Sequence, residues 1–332
     1  MYTNRRNLYT QLEQARSSRV LVYITGDRPG LETQIHPEVY DFFVNHLDRM
    51  GVVPKISLYL YTRGGVTLAA WSFVNLIRQF CETFEVIVPS KGHSAGTLIC
   101  LGANTIVMTK QATLGPIDPS VNTPLNPQVP GGSPEAKVPV SVEAIKGFIE
   151  LAKDELKIKG STQLTSILVG LSEKVHPLVL GEVYRARSQI KMLAKRLMKG
   201  HIKENKIETI VNLLCSESGS HDYTIHRREA KDVLGLNIEK PNDQLYSIIK
   251  NIYDDVDGEL QLTSKYDPNS TLGNQPQVNY AFRRALIESV QSGSHYFISE
   301  GTLTREQQQV APGVQQITIR DQRNFEGWRH EN

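Results

Sequence analysis

Residues 89–104 read PSKGHSAGTLICLGAN, and the order of elements around them decides the fold. The apolar run Val86, Ile87, Val88 leads in and reads as the end of a strand. Ala95 to Leu101 follows with the apolar density of a buried helix. Ser94 stands alone at the junction, flanked by Gly92, His93, Ala95 and Gly96. Small neighbours either let two elements pack closely or leave the hydroxyl open to an incoming group. A hydroxyl at a helix N-terminus lies beside a partial positive charge suited to an oxyanion.

The same texture recurs upstream. Arg19 to Thr25 (RVLVYIT) and Lys55 to Thr62 (KISLYLYT) read as strands. Pro37 to Met50 carries Val39, Tyr40, Phe43, Val44 and Leu47 at helical spacing. Gly64-Gly65 ends the second strand, and Thr67 to Cys81 reads as a helix. Phe84 to Val88 and Thr105 to Thr109 supply two further strands. Alternating strands and helices predict an α/β fold with a mostly parallel sheet. In such sheets the strand C-termini lie side by side and form the ligand edge, so Gly64-Gly65 and Ser94 can share one hollow. The amides of Gly65 and Ala95 are then candidate oxyanion donors. Taken singly, each glycine pair is equally a tight turn without chemistry.

Residues 122–140 form a loop rich in proline and glycine, long enough to act as a flap. Residues 141–215 read as a helical insertion, with one helix opened by Ser141-x-Glu143 and a longer one by His176-Pro177. Thr224 to Leu234 reads as a helix stopped by Gly235. These readings divide the chain into an N-terminal helix or arm (1–18), a core (19–240) and a C-terminal extension (241–332). Within the extension, residues 258–332 have a weak pattern in which Tyr280 to Val290 suggests a helix.

The 332 residues carry a net charge of only +2, which gives nucleic acid no electrostatic footprint. The basic run from Arg185 to Lys206 alternates with apolar residues and reads as a solvated helix face. Cys81, Cys100 and Cys215 are far apart and form no CxxC pair, so reduced thiols in a cytoplasmic protein are expected, with no metal. The N-terminal residues show no signal core, and no run approaches the ~20 apolar residues of a membrane span. No GxxxxGK[ST] phosphate loop or other cofactor motif occurs.

LYLYTRGG, GHSAGTLICLGAN, TLGPIDP and SHDYTIHRREAKDVLGL, in that order, resemble the Clp protease and signal-peptide-peptidase superfamily. Its fold is the crotonase-like spiral of βαβ units, here followed by a helical region. The closer resemblance is to the serine dehydrogenase proteinase family, and it spans roughly Arg19 to Ile238. The resemblance implies a serine endopeptidase acting on peptide or protein substrates and assembling as a homo-oligomer. It makes Ser94 the nucleophile, Gly65 and Ala95 the oxyanion donors, and Asp222 a candidate third member, with His221 or Asp118 as competitors.

The base departs from the pattern. Clp peptidases carry a histidine where this chain has Ile117-Asp118-Pro119, and signal peptide peptidases use a later lysine. A position that resembles that lysine holds Arg185, which cannot deprotonate. His176 and Lys146 remain. Histidine titrates near neutrality without help, whereas lysine must be desolvated, so His176 is the first choice. A helix-capping His-Pro turn without chemistry is its plain alternative. His93 adjoins Ser94, but neighbouring side chains at such a turn point apart. The other histidines (His36, His46, His201, His226, His295, His330) read as surface or core residues. Rival readings are an α/β-hydrolase esterase, since Gly92-x-Ser94-x-Gly96 fits a nucleophile elbow with Asp118 and His176 following, and an inactive scaffold of the same fold. A coenzyme A-dependent crotonase lacks any visible adenine-binding feature.

Overall fold

The run Arg19–Thr25 shows no polar alternation because both of its faces are covered. In the computed structural model, Leu21 and Tyr23 face one apolar cluster while Val20, Val22 and Ile24 face another. The structure describes residues 1–332 except 118–119, 134, 218–221 and 312–313. Asp118 and His221 therefore lie outside the described residues.

Helix α1 (Tyr2–Arg16) leads to β1 (Arg19–Thr25), α2 (Tyr40–Met50), β2 (Val53–Tyr61), α3 (Thr67–Ile77) and β3 (Cys81–Val88). The short β4 (Lys91–Gly92), α4 (Ala95–Leu101), β5 (Thr105–Met108) and β6 (Thr113–Leu114) follow. A hairpin of β7 (Ser120–Val121) and β8 (Val140–Ser141) brackets the Pro/Gly-rich loop. Four helices come next: α5 (Val142–Glu150), α6 (Ser161–Ser172), α7 (Pro177–Met198) and α8 (Glu204–Asn212). Then come β9 (Ile225–His226), α9 (Arg227–Asp232), β10 (Ile238–Glu239), α10 (Asp243–Leu260) and α11 (Pro268–Leu272). The chain closes with β11 (Gln277–Ser289), β12 (Gly293–Ala311) and β13 (Val314–Glu331).

The fold is α/β. Its large sheet has the order β10-β5-β3-β2-β1-β11-β12-β13. The pairings from β10 through β1 are parallel, and the last three strands add antiparallel. One face packs against α2, α3, α4, α7 and α8 through Phe43, Phe73, Leu98, Leu197 and Ile210. The other packs against α1 and α10 through Tyr9, Leu12, Ile249 and Ile252. A second sheet, β4-β6-β9, sits at the C-terminal end of the parallel strands.

Several elements differ from the sequence reading. Tyr280–Val290 is not helical but forms most of β11. Ala285, Leu286 and Ile287 are all buried because β11 lies between β1 and β12, and a bulge between Arg283 and Ala285 interrupts its alternation. The expected helix from Thr224 opens instead as β9, which pairs with β6 before α9 begins. The helix from Thr67 stops at Ile77, and Cys81 already starts β3. Helix α6, absent from the sequence reading, has no charged residue and buries none of its side chains.

The histidines also find distinct places. His46 is fully buried on α2, with Nδ1 2.7 Å from Ser289 Oγ and Nε2 3.0 Å from His295 Nδ1. The His330 ring lies 4.5 Å from that of His295, which joins β12 and β13 to α2. Burial, reinforced by His295, His330 and Arg49, pushes the His46 imidazole down to about 3, and burial pushes His295 to about 4. Both rings are therefore neutral in the folded state near neutral pH, whereas the unfolded chain protonates them below about 6.5. Stability held above that pH is lost as pH falls toward 4. Denaturant melts at pH 6.5 and 5, above most carboxylate titration, should lose about 1–2 kcal/mol for His46 alone. The His46→Asn variant should show a correspondingly flatter profile, and an equal slope in both proteins would contradict this account.

Candidate active site at two stitched turns

Strand β2 ends at Tyr61, and Thr62 continues into the second sheet by pairing with Gly92. Thr62 N–H donates to Lys91 C=O at 3.0 Å, and His93 N–H donates to Thr62 C=O at 3.1 Å. This short ladder brings the turn after β2 against the turn after β4. Gly64, with φ +122°, lies so close to Ser94 that a Cβ there would stand 2.6 Å from Ser94 Cβ and 3.0 Å from its Oγ. Thr62 Oγ1 braces the loop by accepting from Gly64 N–H at 3.0 Å and from Thr25 Oγ1 at 2.8 Å.

Beyond this point the loop is held from its other side. Ile35 N–H donates to Gly64 C=O and Val66 N–H to Ile35 C=O, each at 2.8 Å. In a parallel bridge of this kind the central residue's own N–H and C=O face away from the partner. The Gly65 amide therefore faces away from Ile35. Ala95 opens α4. Among the described residues, neither the Gly65 nor the Ala95 N–H donates to a protein group.

Ser94 adopts φ 52°, ψ −115°, an unfavourable conformation for a residue with a Cβ. It is half-buried, and its hydroxyl does not cap α4 or hydrogen-bond to any other group among the described residues. Thr97, one turn on, is fully buried; its Oγ1 lies 2.8 Å from both Gly92 O and Gly115 O and accepts from Gly115 N–H. That clamp fixes α4 against β4 and the chain after β6.

The other candidates occupy different surroundings. His93 turns from Ser94: its ring lies over Gly115 and its Nε2 is 2.8 Å from Thr113 Oγ1. His176 is exposed and caps α7, its Nδ1 accepting from Leu178 N–H at 3.2 Å. Lys146, on α5, lies 3.5 Å from Glu143 and 3.4 Å from Glu150, beside a groove of about 440 Å3 between α5 and α7. No hydrogen bond joins His176 or Lys146 to Ser94. The N-terminal half of α7, α5 and the β7–β8 hairpin share a small cluster of Val121, Val140, Val142, Val179 and Val183. Asp222 is exposed. Pairing of Ile225 with Leu114, and of Leu114 with Gly92, directs the segment before β9 toward the end of the small sheet where Ser94 follows Gly92.

The structure thus brings Ser94, Ala95 and Gly64-Gly65 together, and it places His176 and Lys146 on the adjoining helical lobe. Sequence reading identified the two junctions but not the residues that join them. Thr62 and Thr97 carried no motif, and only the pairing of β2 with β4 reveals them. Among the described residues no cluster of metal-ligating side chains occurs, and no helix is long and apolar enough to cross a membrane.

Comparison with known proteins finds the following similarities. Residues 2–129 match the profile of the ClpP-like SDH-type serine proteinases. Two uncharacterized proteins of Methanocaldococcus jannaschii, MJ0137 and MJ1495, are 29% and 27% identical over 196 and 236 residues. The first match covers 59% of this chain and 57% of the relative, so this chain spans little more than half of that protein's length. The second covers 69% of each. Among solved structures, a substituted form of 1510-N, a membrane-bound stomatin-specific protease in complex with a substrate peptide, is 16% identical with a TM-score of 0.38. That match covers 68% of this chain and 77% of the protease. ClpP1 from Listeria monocytogenes is 16% identical with a TM-score of 0.37, covering 71% of this chain and 99% of its own. Over residues 2–129 the chain is thus similar to the ClpP-like SDH-type serine proteinases.

Proposed function

We propose that this protein is a serine endopeptidase that cleaves peptide bonds through an acyl-enzyme on Ser94. The observation that carries the reading is the strained Ser94, its hydroxyl unused by the fold and set beside two unsatisfied amides. In the proposed reaction the hydroxyl attacks a peptide carbonyl while a base takes its proton. The Gly65 and Ala95 N–H groups hold the developing oxyanion, an arrangement in which one donor typically contributes ~10²–10³ in turnover. The base then protonates the leaving amine, and water releases the acyl group.

His176 is the proposed base, with Lys146 as the competitor and Asp222 as the orienting group. While His176 Nδ1 accepts from Leu178 N–H, the neutral ring carries its proton on Nε2, so acting as base requires Nδ1 to leave that cap, take the proton and donate it to Asp222. Such a role requires the helical lobe to close over Ser94. An extended substrate would lie along the edge of residues 64–66 opposite Ile35, with the 122–140 loop shaping its access. A homo-oligomeric, cytoplasmic enzyme without cofactor completes the proposal.

Among the described residues no base hydrogen-bonds to Ser94, which favours one second reading, an inactive scaffold of the same fold. A fluorophosphonate probe separates the two. Labelling should map to Ser94 and vanish in Ser94→Ala; an unlabelled wild type would leave the scaffold. His176→Ala should slow labelling at least about 100-fold, whereas loss only in Lys146→Ala would transfer the base to lysine.

A second experiment tests the stitched turns. A Gly64→Ala methyl would meet Ser94 Cβ at 2.6 Å in a backbone conformation that disfavours alanine. The variant should lose about 100-fold or more in labelling rate, since a misplacement of about 1 Å is enough for such a loss. Gly147→Ala on α5 has open space around its Cβ and should label at the wild-type rate. Equal rates for both variants would show that the Gly64–Ser94 contact does not set reactivity.

A further inference from the structure

We infer that Asp27 is a positioning residue that holds the Gly64-Gly65 loop and the Ser94 turn in register. The inference rests on the peptidase reading and extends it to a residue that touches no substrate. Asp27 lies just beyond β1 and is 5% exposed. Its Oδ2 accepts from Tyr61 Oη at 2.9 Å and from Lys91 Nζ, and its Oδ1 accepts from Arg63 Nη1 at 3.3 Å.

Each partner has a fixed place in the chain. Arg63 immediately precedes Gly64. Lys91 opens β4, the strand that delivers Ser94, and its C=O accepts from Thr62 N–H. Tyr61 ends β2, and its ring lies 5.7 Å from that of Tyr253 on α10. Gly26, beside Asp27, exchanges hydrogen bonds with Thr33, which sets the loop that delivers Ile35 to Gly65. One carboxylate therefore ties together the ends of β1, β2 and β4.

This cluster lies on the α10 face, where Tyr61 is packed, whereas Ser94 opens α4 on the opposite face. Asp27 acts on the reaction only through the backbone it anchors. A buried carboxylate is tolerated when its oxygens are satisfied, and here three donors from two neighbouring chain segments satisfy it. Neutralising it loosens Lys91 and Arg63 from the sheet end. Lys91 and Arg63 are 38% and 59% exposed, so their pairs contribute little to global stability. The effect to look for is misplaced amides and hydroxyl.

Glu85 supplies a matched control. It is 1% exposed, bound by Arg16, Lys55 and Ser57, and it sits in the middle of β3, level with the first residue of β5. Wild type, Ser94→Ala, Asp27→Asn and Glu85→Gln are compared as full chains. Peptide kcat and KM, the limiting rate of fluorophosphonate labelling, melting temperature, and amide exchange at Thr62 and His93 are measured. Asp27→Asn should lower kcat and the limiting labelling rate by about 10- to 100-fold, with KM little changed, and should speed exchange at both amides. Glu85→Gln should melt lower yet keep the kcat and those exchange rates. Wild-type kcat and exchange in Asp27→Asn, or an equal kcat loss in Glu85→Gln, would overturn the inference. If Asp27→Asn does not fold, Lys91→Gln should give a smaller loss of the same kind, and no loss would overturn it. If wild type itself shows neither labelling nor turnover, the peptidase reading fails, and the exchange rates alone decide the tether.

Discussion

Pairing between Thr62 and Gly92 is the constraint on which the rest of the site depends. Neither strand end is long, and the ladder consists of two backbone hydrogen bonds. Those bonds nevertheless convert two separate strand-to-helix turns into one surface. The close approach requires the absence of side chains: a Cβ at Gly96 would stand 2.4 Å from Thr62 Cγ2, and one at Gly65 would stand 2.3 Å from Ile35 O. Gly96 thus makes room for the Thr62 methyl, and Gly65, at φ +143°, supplies both a close approach to Ile35 and a backbone conformation that favours glycine.

Charge is distributed along the same sheet in a way that supports this arrangement. In the middle of β3, Glu85 lies buried between Arg16 and Lys55; burial pushes its carboxyl up, but the two cations outweigh that and hold it below the usual range. At the far side, Glu288 on β11 receives Arg5 in a bidentate contact and Tyr9 from α1. Arg5 is itself fully buried and also reaches Asp255 and Glu259 on α10. Residues near both ends of the chain are thus joined to the parallel sheet by satisfied ion clusters. Removing one partner from such a cluster is far more damaging than the net contribution of the pair, because a buried charge is left behind.

How much of this was legible in the sequence follows from where burial imposes a pattern. The parallel strands are apolar on both faces, so RVLVYIT and KISLYLYT stand out as runs, and the glycine turns stop them visibly. Helix α10 was legible in principle: Asn242 caps Leu245 N–H, and Leu245, Ile248, Ile249, Ile252 and Val256 form one stripe. The distal parts of β12 and β13 pair chiefly with one another and expose most of their described side chains, so no buried face writes a period into the sequence. Ser94, Gly65 and Ala95 were readable because local turns place them. The base we propose lies on a distant helix, and helix spacing records what packs beneath it rather than what it reaches across space.

Position 94 itself supplies the strongest argument for chemistry. Its backbone conformation favours glycine, and holding a residue with a Cβ in such a region costs about 1–3 kcal/mol. Space around the neighbouring glycines explains why they lack side chains, but the conformation that would most reward glycine carries serine instead. The serine hydroxyl returns none of that cost to the fold, since it neither caps α4 nor hydrogen-bonds among the described residues. A hydroxyl that strains the backbone without serving it is accounted for if it serves a reaction. In the reaction we propose, the amides of Gly65 and Ala95, each without a protein acceptor among the described residues, are the oxyanion donors.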